Sequence, residues 1–185
     1  MNPGSSLRRM IGVLASVVAV SAIAAQPALD VAKSSVTATF KQEGVPVESP
    51  FRKFSGNISY DPANVAAATA LIEVDTGSLD IGDPAYNAEV QKPAWFDSAR
   101  FPKASFRSTS IKASTTGFNA TGTLTVKGRV LTITVPVTVR TAGNATTFDG
   151  TYNFSRKAFG IGDPIWNDVL EDQVVVRFRL VNAAR

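Results

Sequence analysis

The stretch from Leu131 to Arg140 constrains this chain more than any other. Leu131, Ile133, Val135, Val137 and Val139 alternate without a break with Thr132, Thr134, Pro136, Thr138 and Arg140. A period of two puts the apolar side chains on one face and the polar ones on the other, a sorting that a strand achieves and a helix does not. Seven further runs repeat it. Their apolar faces are Val36-Ala38-Phe40, Phe54-Gly56-Ile58-Tyr60, Ala70-Ile72-Val74, Ala104-Phe106-Ser108, Phe118-Ala120-Gly122-Leu124-Val126, Phe148-Gly150-Tyr152-Phe154 and Val174-Val176-Phe178-Leu180. Eight alternating strands with mostly short connections predict an all-β chain closed as an eight-stranded, up-and-down antiparallel barrel. Two stacked sheets are the structural competitor, because alternation alone does not separate them.

A barrel of this size either packs its interior with side chains or holds one small ligand. Ala38, Gly56, Ala70, Ala104, Ala120, Gly122 and Gly150 are small residues on the inward faces and leave space. The opposite reading, in which small and large residues alternate to fill a tapering interior, fits the same pattern.

Two breaks in the strand pattern resemble one another: Ile81-Gly-Asp-Pro-Ala-Tyr-Asn87 and Ile161-Gly-Asp-Pro-Ile-Trp-Asn167. In each, Asp followed by Pro is a helix start, because Asp accepts from orphan backbone donors and Pro at the first position has no donor to lose. A short helix is expected after each. The breaks follow the third and seventh expected strands, which run the same way, so both belong at one rim. There they form either two lips carrying Tyr86 and Trp166, near Trp95 and Phe159, or two plugs.

Residues 1–24 read as a secretory signal. Arg8 and Arg9 form the positive region, an apolar run extends from Met10 to Val20, and Ala22 and Ala24 supply the small residues of a cleavage site. About eleven apolar residues are too few to span a hydrocarbon core roughly 30 Å thick. The expectation is export to a bacterial periplasm and a single mature domain, 25–185. Without Arg8 and Arg9 the chain carries 17 basic and 15 acidic residues, and it has no basic cluster interleaved with aromatics. That balance argues against nucleic acid as a partner.

The chain has no cysteine and no histidine, and its two methionines, Met1 and Met10, both lie in the expected signal. Haem, thiolate, thioether and His-containing zinc sites therefore lose their ligands. The Ser-His-Asp and Cys-His nucleophile arrangements are likewise excluded. No phosphate-binding loop or nucleophile-elbow motif occurs. Neither a catalytic set nor a metal-ligating set is predicted.

Several stretches together resemble the YceI-like family of periplasmic polyisoprenoid-binding proteins. They are Phe54-Ser-Gly-Asn-Ile-Ser-Tyr-Asp61, Gly77-Ser-Leu-Asp80, Trp95-Phe-Asp97 with Phe101-Pro102, and Phe106-Arg-Ser108. Further on come Gly122-Thr-Leu-Thr-Val-Lys-Gly128, Arg156-Lys-Ala-Phe-Gly-Ile-Gly162 and Asp172-Gln-Val-Val-Val176. No single piece is specific; their order and spacing are. The resemblance implies a lipocalin-like barrel whose apolar tunnel holds a long-chain isoprenoid lipid, a polyisoprenoid or quinone, as ligand and not as a cofactor.

Carried onto this chain, the implied lining is Phe40, Phe54, Ile58, Ile72, Phe106, Leu124, Ile133, Val135, Tyr152, Phe159, Trp166 and Phe178. A polar head group would meet Asp163, Asn167, Asn87 or Arg156 at the mouth, with Arg156 more readily placed in a structural ion pair at the barrel end. The protein is then a non-enzymatic carrier or store that makes transient contact with the inner membrane, as a monomer or a homodimer.

Two other functions fit the residues. A filled barrel acting as a stress or interaction protein would present an apolar patch or an open edge instead of a tunnel. An acid/base enzyme would place a carboxylate deep in the cavity, yet the alternation puts Glu73, Asp75 and Asp149 outside.

Overall fold

The computed structural model describes residues 28–182, so the expected signal at 1–24 lies outside the described residues. The strands are β1 (Ser35–Gln42), β2 (Val45–Pro50), β3 (Phe54–Ser59), β4 (Thr69–Asp75), β5 (Lys103–Ser114), β6 (Gly117–Val126), β7 (Arg129–Ala142), β8 (Ala145–Ser155) and β9 (Gln173–Asn182). One α-helix, α1 (Pro84–Glu89), lies between β4 and β5. All nine strands form one antiparallel sheet in the order β2-β1-β9-β8-β7-β6-β5-β4-β3, curled into a lipocalin-like barrel. Consecutive strands pair from β3 to β9, which is the expected up-and-down path, and β9 then closes onto β1.

The strand count is nine instead of eight, because β2 escapes the period-two reading. Val45-Pro-Val-Glu-Ser-Pro50 carries two prolines and only two apolar residues facing one way, a composition tolerated at a sheet edge. β2 and β3 run in the same direction with only residues 51–53 between them; β2 pairs with β1 and β3 with β4. They behave as one bent strand that carries the sheet from one edge to the other, and the sequence pattern revealed its second half alone.

Hydrogen bonds along the seam complete the closure. Leu29 N donates to Gly56 O (3.3 Å) and Asp30 N to Val181 O (2.7 Å), while Asn182 Nδ2 donates to Ile58 O (2.9 Å). At the bend, Phe51 N donates to Val36 O (2.9 Å) and Arg52 N to Ser78 O (3.0 Å).

Along β7, Ile133, Val135 and Val137 are buried while Thr132, Thr134 and Pro136 are exposed, as the alternation requires, but Leu131, expected on the same face, is exposed near the start of the strand. The outer face carries the ion pairs Lys103–Glu73 (2.8 Å), Arg140–Asp149 (2.7 Å) and Arg179–Asp149 (2.8 Å). Exposed pairs of this kind stabilise weakly, so they solubilise the wall more than they hold it. In β5 the register shifts between Ser108 and Ser110, and the inward phase resumes at the buried Ile111. That bulge ends the alternation on this strand at Ser108.

Candidate ligand-binding cavity

One end of the barrel is shut by aromatic rings. Tyr60 lies 5.6 Å from Phe148 and 5.9 Å from Phe118 between centroids, and Phe118 and Phe148 are 6.2 Å apart. Edge-on and tilted contacts at these separations suit aromatic quadrupoles, and Phe148 is only 1% exposed. These residues come from the β3–β4 connection, the start of β6 and the first half of β8, so three separate parts of the sheet meet in one floor.

The two Ile-Gly-Asp-Pro segments stand together at the other end. Asp83 Oδ1 accepts from Ala85 N (2.7 Å) and Tyr86 N (3.2 Å) and starts α1. Asp163 Oδ1 accepts from Ile165 N (3.0 Å), but the second segment makes only a 3-10 turn, Pro164–Trp166. Gly162 N donates to Ala94 O (2.9 Å), and the Trp95 and Trp166 rings lie 6.5 Å apart. The second lip is therefore tied to the residues that follow α1, with Trp166 turned in and Tyr86 on the first lip half exposed.

Arg156 anchors the second lip and makes no ion pair within hydrogen-bond distance. Nε donates to Glu171 O (3.0 Å), Nη1 to Ile161 O (3.0 Å), and Nη2 to Leu170 O (2.9 Å) and Asn167 Oδ1 (3.1 Å). The side chain is 4% exposed, so its charge is compensated by aligned neutral oxygens in place of a carboxylate. Gly162 is required beside it: its φ is +110°, and an ideal Cβ there would come within 2.2 Å of Arg156 Nη1. On the first lip, Asp80 takes the corresponding place. It accepts from Arg52 Nη2 (2.7 Å) and Nε (3.0 Å), Gly82 N (2.9 Å) and Asn87 Nδ2 (3.2 Å). The Arg52 guanidinium, helped by these other donors, holds the Asp80 carboxyl down at about 2.

Between floor and lips lies a cavity of about 520 Å³. Its volume falls within the ordinary range of small-molecule sites, and the space suggested by the small inward residues is real. Ten of the twelve residues expected to line it do so: Phe40, Ile58, Ile72, Phe106, Leu124, Ile133, Val135, Tyr152, Trp166 and Phe178.

Phe54 and Phe159 do not. Phe54, the first residue of β3, packs against the core beside the cavity. Phe159 is fully buried behind Phe154, 5.5 Å away and edge-on, and it is Phe154 that faces the cavity. Sequence reasoning missed Phe51, Val47, Leu79, Val90 and Phe96, which come from β2, the bend after it and the β4–β5 connection. Only Val47, two residues from Val45, carried a periodic signal; the others lie in segments too irregular to have one.

The lining is hydrocarbon and aromatic over most of its surface. Asp83, Glu89 and Glu171 reach it from the lips and the β8–β9 connection, Gln42 from the last residue of β1, and Ser105 from near the start of β5. Glu89 is held below the usual carboxylate range by its bond from Lys92 and so stays charged. Tyr152 alone carries a hydroxyl farther in. The chemistry this arrangement supports is solvation of a long apolar chain, with few places for a charge.

A family model described as the YceI-like domain matches residues 28–182. Among curated proteins, a UPF0312 protein of Vibrio cholerae is 31% identical over 122 residues, which cover 62% of this chain and 65% of that one. The chain thus spans about 65% of the length of the Vibrio cholerae relatives. The crystal structure of Burkholderia cenocepacia BcnA matches with a TM-score of 0.81 and 42% identity, over 84% of this chain and 99% of that one. A structure described as a polyisoprenoid binding domain from Saccharophagus degradans has a TM-score of 0.66 and 17% identity, over 87% of this chain and all of that one, a likeness of fold.

Proposed function

This chain belongs to the YceI-like domain family, and we propose that it binds a long-chain isoprenoid lipid in its barrel and carries or stores it without chemical change. The observation that supports this reading best is the apolar cavity of about 520 Å³ between an aromatic floor and two lips. Each methylene moved from water into such a lining contributes roughly 0.8 kcal/mol, so a chain of several isoprene units gains affinity without specific polar contacts. The description of the Saccharophagus degradans neighbour as a polyisoprenoid binding domain points to the same ligand chemistry. A quinone is the finer form of this proposal.

The proposal extends to place. Residues 1–24 direct export and are removed, so that the carrier works in the periplasm and meets the inner membrane when it loads. N-terminal sequencing of the protein recovered from a periplasmic fraction tests this, with a mature start at residue 25 expected.

The binding reading is tested by native mass spectrometry of protein purified without detergent, followed by organic extraction. One long-chain species at one per barrel is expected. A bare protein mass, unchanged after incubation with polyprenols and isoprenoid quinones, overturns the proposal.

A further inference from the structure

We infer that the lipid's polar end is an uncharged oxygen group, an alcohol or a carbonyl, and that it is held inside the barrel by the hydroxyl of Tyr152. This rests on the lipid-binding reading and adds to it the class of the head group and the residue that recognises it.

Gln42, Ser105 and Tyr86 line the cavity with no side-chain hydrogen bond among the described residues, but the other uncharged and cationic side chains at the mouth are already engaged. Asp163 caps Ile165 N, Asn167 Oδ1 accepts from Arg156, and Asn87 Oδ1 accepts from Ile81 N (2.7 Å) while its Nδ2 donates to Asp80. Arg156, the only cation of the lining among the described residues, gives four N–H groups to Glu171 O, Ile161 O, Leu170 O and Asn167 Oδ1. A guanidinium has five N–H donors in a fixed fork, so too little remains for a bidentate grip on a phosphate or carboxylate. The carboxylates of the lining are engaged as well: Asp83 caps α1, Glu89 pairs with Lys92, and Glu171 pairs with Lys41 (3.6 Å). The mouth therefore does not favour an anionic head group.

Tyr152 is different. It faces the cavity from β8, opposite Val176, two residues from Phe154 on the mouth side and two from Gly150 on the floor side. Among the described residues its hydroxyl has no hydrogen-bond partner, and its neighbours on the inward face offer none. Tyr152 is half-buried, and a tyrosine hydroxyl in apolar surroundings ordinarily finds a partner. A phenol standing unpaired against an apolar void is a group that a ligand completes. Burial pushes the Tyr152 phenol up from its ordinary value, so at neutral pH it is protonated and able to donate to a carbonyl or an alcohol oxygen.

The test is displacement of the fluorescent probe N-phenyl-1-naphthylamine from wild type and Tyr152→Phe by a matched C20 isoprenoid series: alcohol, aldehyde, monophosphate and hydrocarbon. Phenylalanine keeps the ring and removes only an unpaired hydroxyl, so the variant folds, which a matching melting temperature verifies. Wild type is expected to prefer the alcohol and aldehyde to the monophosphate by about tenfold or more. Tyr152→Phe is expected to weaken the alcohol and aldehyde about fivefold, as for one hydrogen bond, and to leave the hydrocarbon within about twofold. Equal weakening of hydrocarbon and alcohol, no weakening at all, or strongest binding of the monophosphate each overturns this inference while the lipid reading stands. Failure of the whole series to displace the probe from wild type overturns both.

Discussion

Phe178 lies over Gly150, directly across the β8–β9 ladder: an ideal Cβ at residue 150 would come within 2.3 Å of the Phe178 Cζ. The glycine is the space into which the ring settles, and the ring covers backbone that would otherwise face the cavity. Gly122 leaves room in a related way for Phe106, which sits diagonally across the β5–β6 ladder: an ideal Cβ at residue 122 would come within 2.3 Å of Arg107 O and 2.8 Å of Phe106 Cζ. These glycines make room indirectly, by letting large rings lie close to the wall.

Gly150→Ala is accordingly expected to destabilise the barrel by about 1–3 kcal/mol, the usual cost of overpacking, because Phe178 must move towards the lumen. Urea unfolding measures the cost. A parallel loss of probe binding is expected, since the displaced ring takes up ligand space. Unchanged stability and binding would mean the ring has another place to go.

The floor invites a second substitution. Phe148 is 1% exposed and touches both Tyr60 and Phe118, so Phe148→Ala removes one side of the aromatic closure. A loss of about 3–5 kcal/mol is expected by thermal or chemical unfolding. If the variant folds, its cavity is deeper, and longer isoprenoid chains should gain affinity relative to short ones.

Arg156 gives a third prediction. Its removal leaves Ile161 O, Leu170 O and Glu171 O without their donor around a buried site. Arg156→Ala is expected to cost about 1–3 kcal/mol through those orphaned carbonyls and to loosen the second lip. Hydrogen exchange should rise at Ile161 and Trp166, whose segment the guanidinium holds, more than at Phe148 on the floor. A uniform rise would place Arg156 in global stability alone.

Much of this was legible in the sequence because a strand with one wet face and one dry face writes its geometry as a period of two. β7 and β8 are the clearest cases, and nine of the expected lining residues read that way do reach the cavity, Trp166 on the second lip being the tenth. What lacked a period was lost. β2 carries prolines, the β4–β5 connection supplies Val90 and Phe96 from irregular backbone, and Phe159, expected in the lining from the resemblance and its place beside the second lip, lies in a short turn after β8 where no alternation sets its direction. The repeated Ile-Gly-Asp-Pro segments indicated two caps at one rim, and both caps form. The tie between the second lip and the β4–β5 connection depends on Gly162 N meeting Ala94 O, a contact between residues far apart in sequence that no local pattern encodes.

Asp80 carries the prediction about pH. Its carboxyl is held at about 2 by the Arg52 guanidinium, with Gly82 N and Asn87 Nδ2 adding to the effect, against roughly 3.9 for a free aspartate. A lowered folded-state pKa means that this carboxylate's contribution to stability is present above the unfolded value and is lost as pH falls through the folded one. The first lip should therefore keep its order at pH 5 and lose it progressively between about pH 4 and pH 2. A carbon-detected NMR titration of the Asp80 carboxyl is expected to give a midpoint near 2, and Arg52→Met should move that midpoint up towards the ordinary aspartate range. Amide signals of Gly82 and Asn87 should follow the same transition, because their bonds end on the same carboxylate. A wild-type midpoint near that of a free aspartate, or one that Arg52→Met leaves in place, would show that the first lip is held by its capped helix and not by this ion pair.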